Sequence, residues 1–430
     1  MRNEKQLKAL EDFNKQHGET FCIKPFTEVA STPLGGVKLC CYSGAVDYKT
    51  EYFSDKNSLQ KTFDTNKGLL TSRKALLSGK KIPACQACWK DEKAGNKSMR
   101  MDHTEYFKQE DPQFVKDIKD YGRTAIKSID VKFGNKCNYA CIMCAPDNSS
   151  LWGKEIKKNP VDKDLFHGEF NDATALVDYP EYKYKELLEV SKNVIRVKST
   201  GGEPLLLDGF KDYIKKLVEK GYAKNITFTT VTNGTIDCSD LLEYMNEFKK
   251  FKMNWSVDGT DEVYNYVRWP GNFDRMRRVH EKLASEIINK KYENIEVSMH
   301  PTIQLFNVHN IPQMIQYAKD LQIVEYVDFG YIFDDPKYFN TGVLPDDMLE
   351  DIIKQNTEIV DKIETNNKFE HTHDNIISTM RRDQIVYNEK HDKKELFNQA
   401  KRMVEWFEKT RKLDIYKHIS TYKQLESHYR

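Results

Sequence analysis

The sequence predicts an α/β fold, because strands and helices alternate along the middle of the chain. From Ala125 onward, short β-rich runs recur and each is followed by a longer helical stretch: Ile126–Phe133, Val194–Ser199, Ile226–Thr232, Met253–Val257, Ile295–Ile303 and Val324–Ile332. This alternation is typical of parallel βα units. A cysteine motif follows the first run, GGEP the second, TNG the third and SVDG the fourth. Functional side chains of parallel sheets gather beyond the C-terminal strand ends, so motif position and fold prediction agree.

The segments on either side have a different character. Residues 1–20 predict a helix, a second helical stretch lies near Ser58–Gly79, and five of the nine cysteines precede the first run. After about Asp335 the sequence is helical and charged, has apolar residues at three- and four-residue spacing, and contains no cysteine. The predicted domains are an N-terminal cysteine module, a strand-and-helix domain and a helical C-terminal extension, over residues 1–123, 124–335 and 336–430.

Composition argues against several classes of partner. The chain has 67 basic and 66 acidic side chains, and a net charge of +1 gives no reason to expect a polyanion or an anionic membrane. No apolar run approaches the roughly 18–20 residues that span a bilayer. The N-terminus has no apolar signal-peptide core. We therefore expect a cytoplasmic protein without a membrane partner, in which the nine cysteines are metal ligands or reduced thiols.

The motif CNYACIMC places Cys137, Cys141 and Cys144 at a C-x3-C-x2-C spacing directly after the first strand. Three thiolates ligate three irons of a [4Fe–4S] cluster and leave the fourth iron open for another ligand. A lone C-x2-C motif is weaker evidence, because many zinc sites contain one. A structural zinc site is therefore the alternative for these cysteines, although no fourth ligand is close in the sequence.

This motif, together with GGEP at residues 201–204, resembles the radical S-adenosylmethionine (SAM) superfamily. The resemblance extends over Thr124–Ile332 and implies a partial (β/α)6 TIM-type barrel. It also implies that the open iron binds the amino and carboxylate groups of SAM, whose reductive cleavage yields a 5′-deoxyadenosyl radical that abstracts hydrogen from a substrate. Met143 departs from the family pattern, which has an aromatic residue there, but an apolar Met covers the same ground.

The same resemblance assigns further residues to the cofactor. It implies that the GGE segment receives the methionyl ammonium, since glycines admit a ligand close to the backbone and a carboxylate complements a cation. It implies contacts to ribose and methionine at TNG and SVDG, and a grip on the cofactor carboxylate by an arginine. The residues concerned are Gly201, Gly202, Glu203, Asn233, Ser256 and Arg268.

Each of these motifs also has a purely structural interpretation, without a role in cofactor binding. GGEP is also typical of a strand-to-helix turn with Pro near the first helical position, and Asn233 before Gly234 is a common turn pair. Ser256 and Asp258 are suitable helix caps, and Arg268 is also compatible with a surface position.

Four N-terminal cysteines form a second set. Cys22, Gly35 and Cys40 make C-x12-G-x4-C, and Cys85 and Cys88 make a later C-x2-C. With CxxCWxxExxGxxSxR and the C-terminal FEKTRKLDIYKHISTYKQL, this pattern resembles radical SAM proteins whose SPASM/twitch-like module precedes the barrel. Such a module binds an auxiliary [4Fe–4S] cluster, and four ligands leave no open iron. A four-cysteine zinc site and an unmetallated module are the alternatives. Cys41 competes with Cys40 as a ligand, but only Cys40 satisfies the G-x4-C spacing.

The resemblance therefore implies a radical SAM enzyme that acts on a peptide or a small molecule, with flavodoxin or ferredoxin as the reductase. One alternative is radical modification of RNA, against which the near-zero net charge counts. The other is a non-catalytic iron–sulfur or zinc protein, against which the intact GGEP and Ser256 count. No residue stands out as a proton donor or radical relay, so the catalytic residues are unassigned.

Overall fold

The computed structural model describes residues 2–32, 36–51, 58–93, 97–165, 181–332, 335–363 and 372–430. It has an α/β fold with a mostly parallel central sheet. The strands are β1 Glu28–Ser31, β2 Gly36–Lys38, β3 Ala45–Glu51, β4 Ser128–Lys132, β5 Arg196–Thr200, β6 Thr227–Thr232, β7 Lys250–Trp255, β8 Ile295–Met299, β9 Thr302–Ile303, β10 Val324–Val327 and β11 Gly330–Tyr331.

The helices of the described ranges lie between and after these strands. They are α1 Arg2–His17, α2 Lys24–Thr27, α3 Leu59–Thr65, α4 Lys67–Leu77, α5 Gln86–Lys93, α6 Met99–Glu110, α7 Pro112–Tyr121, α8 Ser150–Lys158, α9 Glu181–Val190, α10 Asp208–Glu219, α11 Leu242–Asn246, α12 Asp261–Val267, α13 Phe273–Lys290, α14 Ile311–Asp320, α15 Asp346–Val360, α16 Thr372–Lys390, α17 Lys393–Arg411, α18 Ile415–His418 and α19 Tyr422–Tyr429. None of them has the length and apolarity that crossing a bilayer requires.

All six predicted strand regions contain strands, which confirms this part of the prediction. The predicted run Ile295–Ile303 is not one strand, however, but consists of β8 and β9. Pro301 lies between them and has no backbone N–H to donate to a ladder, so the strand is interrupted there. The run Val324–Ile332 is likewise divided into β10 and β11, and β11 pairs with β9 in a separate two-stranded sheet.

The chain forms two compact units. The first comprises Met1–Gly134, Asp178–Gly201 and Gly209–Phe228, and the second comprises Asn135–Val177, Gly202–Asp208 and Thr229–Arg430. Residues before 124 thus share a unit with β4 and β5, and residues after 335 share a unit with β7 and β8. The predicted domain limits at 123/124 and 335/336 stay a prediction.

In the first unit the strand order is β3-β2-β1-β4-β5. Strand β1 pairs antiparallel with β2 and parallel with β4, with Val29 opposite Ile129, and β4 pairs parallel with β5. Side chains alternate between the faces of a sheet, so the register sets apolar Val29 and Ile129 on one face and charged Glu28 and Asp130 on the other. The charged face is the one that Cys41 contacts, as described below.

In the second unit the strand order is β6-β7-β8-β10, and β7–β8 and β8–β10 are parallel pairs. The helices after residue 335 belong to the same apolar core as the barrel helix α12, because Phe339, Met403 and Phe407 cluster with Val263 and Tyr266. Each of these five side chains is at least nine-tenths buried. The C-terminal helices are therefore an integral part of this unit's core.

Candidate functional site

The three barrel cysteines lie in one irregular segment between β4 and α8, which we call the cysteine loop (residues 135–149). Its backbone is fixed on both sides of Cys141. The Ala140 N–H donates to the Trp269 carbonyl at 2.7 Å, and the Ile142 N–H donates to the Val267 carbonyl at 2.9 Å. The indole N–H of Trp152 donates to the Cys141 carbonyl at 2.7 Å. The loop therefore holds its central cysteine in a defined position.

The thiols of this loop are close enough to influence each other. Burial raises the pKa of Cys137, and the charges of Cys141 and Cys144 raise it further. Burial also raises the pKa of the Cys141 thiol, while the nearby charges of Arg268 and Arg411 lower it. None of the nine cysteines of the chain forms a disulfide. Three grouped thiols are the donor set of a [4Fe–4S] cluster with one open iron.

The thiols also accept backbone hydrogen bonds. The Tyr139 N–H donates to the Cys137 Sγ at 3.4 Å. N–H···S bonds stabilise thiolates and tune iron–sulfur clusters, so the loop fits such a group. Among the described residues, no three His, Cys, Asp or Glu side chains converge on a point that a single metal ion would occupy.

The GGE segment packs directly against the cysteine loop. A β-carbon at Gly202 would lie 2.2 Å from the carbonyl oxygen of Lys136, so only glycine fits there. The next residue, Glu203, donates its backbone N–H to the same oxygen at 2.8 Å. Gly201 has a φ of +115°, which side chains disfavour. The two glycines therefore serve close packing and backbone conformation in the protein itself.

The Glu203 carboxylate is fully buried and has three protein donors. It accepts the Asn233 N–H at 2.7 Å, the Thr232 hydroxyl at 2.8 Å and the Leu205 N–H at 3.1 Å. Burial raises the pKa of this carboxyl, and the three donors lower it. The bond to Leu205 caps a short 3-10 turn that begins at Pro204. GGEP therefore forms the turn between β5 and α10, as its structural interpretation predicted. The carboxylate links two strand ends of the site rather than facing open space.

Asn233 belongs to a network that reaches the cysteine loop. Its side-chain N–H donates to the Asn138 amide oxygen at 2.7 Å, and Asn138 donates to the Thr235 hydroxyl at 2.9 Å. The Asn233 oxygen accepts the Thr235 N–H at 3.1 Å, which is the expected turn, with Gly234 at a φ of +70°. Asn138 was missed by the sequence analysis, although it lies inside the CNYAC motif.

Arg268 is 7% exposed, so the interpretation as a surface residue is wrong. Its Nε donates to the Asp258 carboxylate at 2.7 Å, and the other Asp258 oxygen accepts the Thr302 N–H. Asp258 therefore orients the guanidinium and does not cap α12, whose N-cap is Thr260. The charges of Asp258 and Cys141 raise the pKa of Arg268 against the opposing effect of burial.

The terminal amino groups of Arg268 have no hydrogen-bond partner among the described residues. They are available to a carboxylate, which a guanidinium binds through two parallel bonds. Ser256, which follows β7, is half-buried and donates its backbone N–H to the Thr232 carbonyl at 2.8 Å. The described second unit thus brings together the thiols, Gly202, Glu203, Asn233, Ser256 and Arg268 through bonded neighbours.

The four N-terminal cysteines Cys22, Cys40, Cys85 and Cys88 line one small cavity in the first unit. Burial raises the pKa of Cys85 to about 12, and the charges of Cys40 and Cys88 add to this effect. Three of the thiols accept a backbone N–H: Cys22 from Lys24, Cys40 from Tyr42 and Cys88 from Arg100. The donor set and these N–H···S bonds fit an iron–sulfur cluster. Gly35 lies outside the described residues.

Cys41 does not line this cavity. Its sulfur lies 3.8 Å from the Lys198 ammonium, and it donates to the Asp130 carboxylate. Burial raises the pKa of Cys41 to about 12, with Asp130 as the next cause. The two adjacent thiols therefore have different surroundings: Cys40 lines the cavity, whereas Cys41 contacts charged side chains.

The WxxExxGxxSxR part of the N-terminal motif forms a buried hydrogen-bonded frame. Arg100 donates to both oxygens of Glu92, at 2.5 and 2.8 Å, and to the Phe21 carbonyl at 3.2 Å. Ser98 also donates to Glu92, and the guanidinium lies 5.1 Å from the Trp89 ring centre. Since Phe21 precedes Cys22 and Glu92 follows Cys88, this frame connects the two halves of the cysteine set. The motif's glycine lies outside the described residues.

Residues 131–317 match the family model described as the radical SAM superfamily. Among curated proteins, the chain is similar to GTP 3′,8-cyclase of Rhizobium etli, with 24% identity over 225 residues, which are 51% of this chain and 56% of that protein. It is also similar to GTP 3′,8-cyclase of Helicobacter pylori strain J99, with 23% identity over 216 residues, which are 47% and 56% of the two chains. The chain thus spans about half the length of these relatives.

Two groups of solved structures are distantly similar. One is Streptococcus suis SuiB bound to the precursor peptide SuiA, with a TM-score of 0.41 and 12% identity, covering 68% of this chain and 64% of that chain. The other is the radical SAM methyltransferase TsrM of Kitasatospora setae, with a TM-score of 0.33 and 10% identity, covering 47% and 35%. The superfamily binds a [4Fe–4S] cluster and SAM, which are two of the predicted cofactors. The auxiliary module lies outside the matched residues and stays a prediction.

Gly202→Ala should destabilise the protein, because the new β-carbon must displace the backbone of the cysteine loop. Overpacking of this kind costs about 1–3 kcal/mol. Gly44→Ala is the matched control, since a β-carbon at Gly44 meets nothing within 4 Å. Thermal unfolding monitored by circular dichroism measures both. Equal midpoints for the two variants would contradict the close packing.

Arg100→Met should destabilise the first unit, because it leaves the buried Glu92 carboxylate without its cation. Removing one partner of a buried pair costs about 3–5 kcal/mol. The control is Arg277→Met, which removes an exposed arginine that is also paired with two carboxylates. Exposed pairs contribute about 1 kcal/mol or less. A loss of thermal stability as small as that of the control would argue against the frame.

Proposed function

Residues 131–317 form a radical SAM superfamily domain, and from this premise we propose that the protein is an enzyme that cleaves SAM reductively. In this proposal a [4Fe–4S] cluster is held by Cys137, Cys141 and Cys144. The observation that carries it is the grouping of three cysteines, none in a disulfide, in one anchored loop against which the GGE segment packs. A loop with this donor set leaves one iron open for a cofactor.

The residues around the loop have separate roles in this proposal. When bound, the cluster supplies the electron that cleaves SAM to methionine and a 5′-deoxyadenosyl radical. Arg268 binds the methionyl carboxylate with its free amino groups while Asp258 keeps the guanidinium in place. The Glu203 carboxylate is occupied by protein donors, so the methionyl ammonium meets the backbone of Gly201, Gly202 and Glu203. Asn233 and Ser256 are assigned to ribose and methionine.

We propose an auxiliary [4Fe–4S] cluster on Cys22, Cys40, Cys85 and Cys88. A cluster with four thiolates carries net negative charge, and burying it requires cations nearby. Two buried cations, Lys24 and Arg100, line the same cavity. With four thiolate ligands such a cluster would have no open iron, and it would supply an acceptor for the electron that remains after hydrogen abstraction, so that the net reaction would be oxidative. A four-cysteine zinc site is the alternative that metal analysis distinguishes.

The substrate in this proposal is a peptide or a small molecule, and the electron donor is a flavodoxin or a ferredoxin. The near-zero net charge counts against RNA as the substrate. The cytoplasmic location predicted from the sequence is part of the same proposal.

The first test is metal analysis of the wild type and of the Cys137→Ala/Cys141→Ala/Cys144→Ala triple variant. Both are purified anaerobically and reconstituted, and iron, sulfide and zinc are measured per chain. We expect about eight irons in the wild type and about four in the variant. Reduced wild type should form 5′-deoxyadenosine from SAM, and the variant should not. About four irons with one zinc in the wild type would make the auxiliary site structural; no iron and no 5′-deoxyadenosine would overturn the proposal.

A second test separates Cys40 from Cys41. Cys40→Ala should lose the auxiliary cluster, seen as a loss of about four irons per chain. Cys41→Ala is its control, because the two cysteines are adjacent but only Cys40 lines the four-cysteine cavity. Iron analysis and the visible absorption of the reconstituted variants measure this. Loss of iron in Cys41→Ala with full iron in Cys40→Ala would reverse the assignment.

A further inference from the structure

Arg411, the last residue of α17, is a charged residue whose side chain is completely buried. Its side chain is 0% exposed, and its carboxylate partner is Glu155. The Nε and Nη2 groups donate to the two Glu155 oxygens at 2.8 and 2.7 Å. Burying such a pair rarely adds stability, since desolvation offsets the attraction. Stability of the fold therefore does not explain why this ion pair is buried.

Four aromatic rings enclose the guanidinium. Its central carbon lies 4.3 Å from the ring centre of Phe407, 4.5 Å from Trp152, 4.9 Å from Trp269 and 5.7 Å from Trp406. Rings at these distances attract a cation, and they also exclude water from it. The charge of Arg411 consequently acts in surroundings of low polarity, where its influence on neighbouring groups is strong.

Two of these tryptophans hydrogen-bond the cysteine loop next to Cys141, one through its indole and one through its backbone carbonyl. Trp152 donates its indole N–H to the Cys141 carbonyl at 2.7 Å. The Trp269 carbonyl accepts the Ala140 N–H at 2.7 Å. Arg411 therefore packs against both tryptophans that hydrogen-bond the loop next to its central cysteine.

One donor of Arg411 has no partner. Its Nη1 is buried and makes no hydrogen bond within the part of the chain that the structure describes. Leaving a buried donor unpaired is unfavourable, and more so for a charged group. The other two nitrogens are satisfied by Glu155, so the guanidinium is held in one orientation with a free N–H group.

We propose that Arg411 is a positioning residue for the cluster on Cys137, Cys141 and Cys144, and that its fixed charge makes this cluster easier to reduce. This inference rests on the proposed function. Reduction adds one negative charge to the cluster, and a buried cation nearby stabilises the more negative state. Glu155 opposes this effect, because its carboxylate partly neutralises the guanidinium. Removing Arg411 and removing the charge of Glu155 therefore act in opposite directions.

The test is a reductive titration of the reconstituted full chain followed by electron paramagnetic resonance. The relevant cluster is the one whose signal changes when SAM is added. Arg411→Met should lower the ratio of reduced to oxidised cluster about tenfold at a fixed potential, equivalent to a shift of about 59 mV for one electron. Glu155→Gln should raise that ratio. Arg402→Met is the control, since Arg402 lies on the same helix but is exposed and paired with Asp162 and Asp164.

The outcomes separate this inference from the proposed function. If the wild type binds no iron at the cysteine loop, both are overturned. If the wild type binds the cluster but Arg411→Met and Glu155→Gln have the wild-type reduction potential, only the role of Arg411 is overturned. Shifts in the same direction would indicate a displaced loop instead of a charge effect and would also overturn it. If Arg411→Met does not retain iron, the sign of the Glu155→Gln shift decides.

Discussion

A β-carbon at position 202 would lie only 2.2 Å from the carbonyl oxygen of Lys136, so the backbone there requires glycine. This close approach brings the GGE segment onto the cysteine loop, and the other contacts of the site depend on it. Glu203 can then bond to Lys136 through its N–H and to Thr232 and Asn233 through its carboxylate. Consecutive strand ends are thereby connected to the segment that carries the thiols before any cofactor is present.

A second constraint is charge. The described residues contain four buried pairs of a cation with a carboxylate, and one partner of each lies beside a predicted cysteine ligand: Lys24–Glu28, Arg100–Glu92, Arg268–Asp258 and Arg411–Glu155. Buried pairs contribute little to stability because desolvation is costly. Thiolates that bind iron carry negative charge into the interior, and a cation fixed by its own carboxylate offsets that charge without moving. The recurrence of this arrangement in both units is consistent with two clusters.

The local parts of this architecture could be predicted from the sequence, and the non-local parts could not. Strand positions and the cysteine loop follow from short runs and fixed spacings, and even the interruption at Pro301 has a local cause. The partners of Arg268 and Arg411 are different, since Asp258 and Glu155 are separated from them by 10 and 256 positions. No spacing rule connects such residues. The choice between Cys40 and Cys41 likewise depends on which thiol faces the cavity, and adjacent positions have the same sequence context.

The location of Arg411 also bears on how much of the chain the chemistry needs. The matched region, residues 131–317, contains the three thiols and Glu155 but not Arg411. Helix α17 brings Arg411 to the cysteine loop, and its Met403 and Phe407 belong to the apolar core that also contains Tyr266. This shared core fixes the position of α17, and the Glu155 carboxylate holds the guanidinium at its end. The residues after 335 therefore contribute to the electrostatic surroundings of the cysteine loop, and a chain without them would leave the Glu155 carboxylate without its cation.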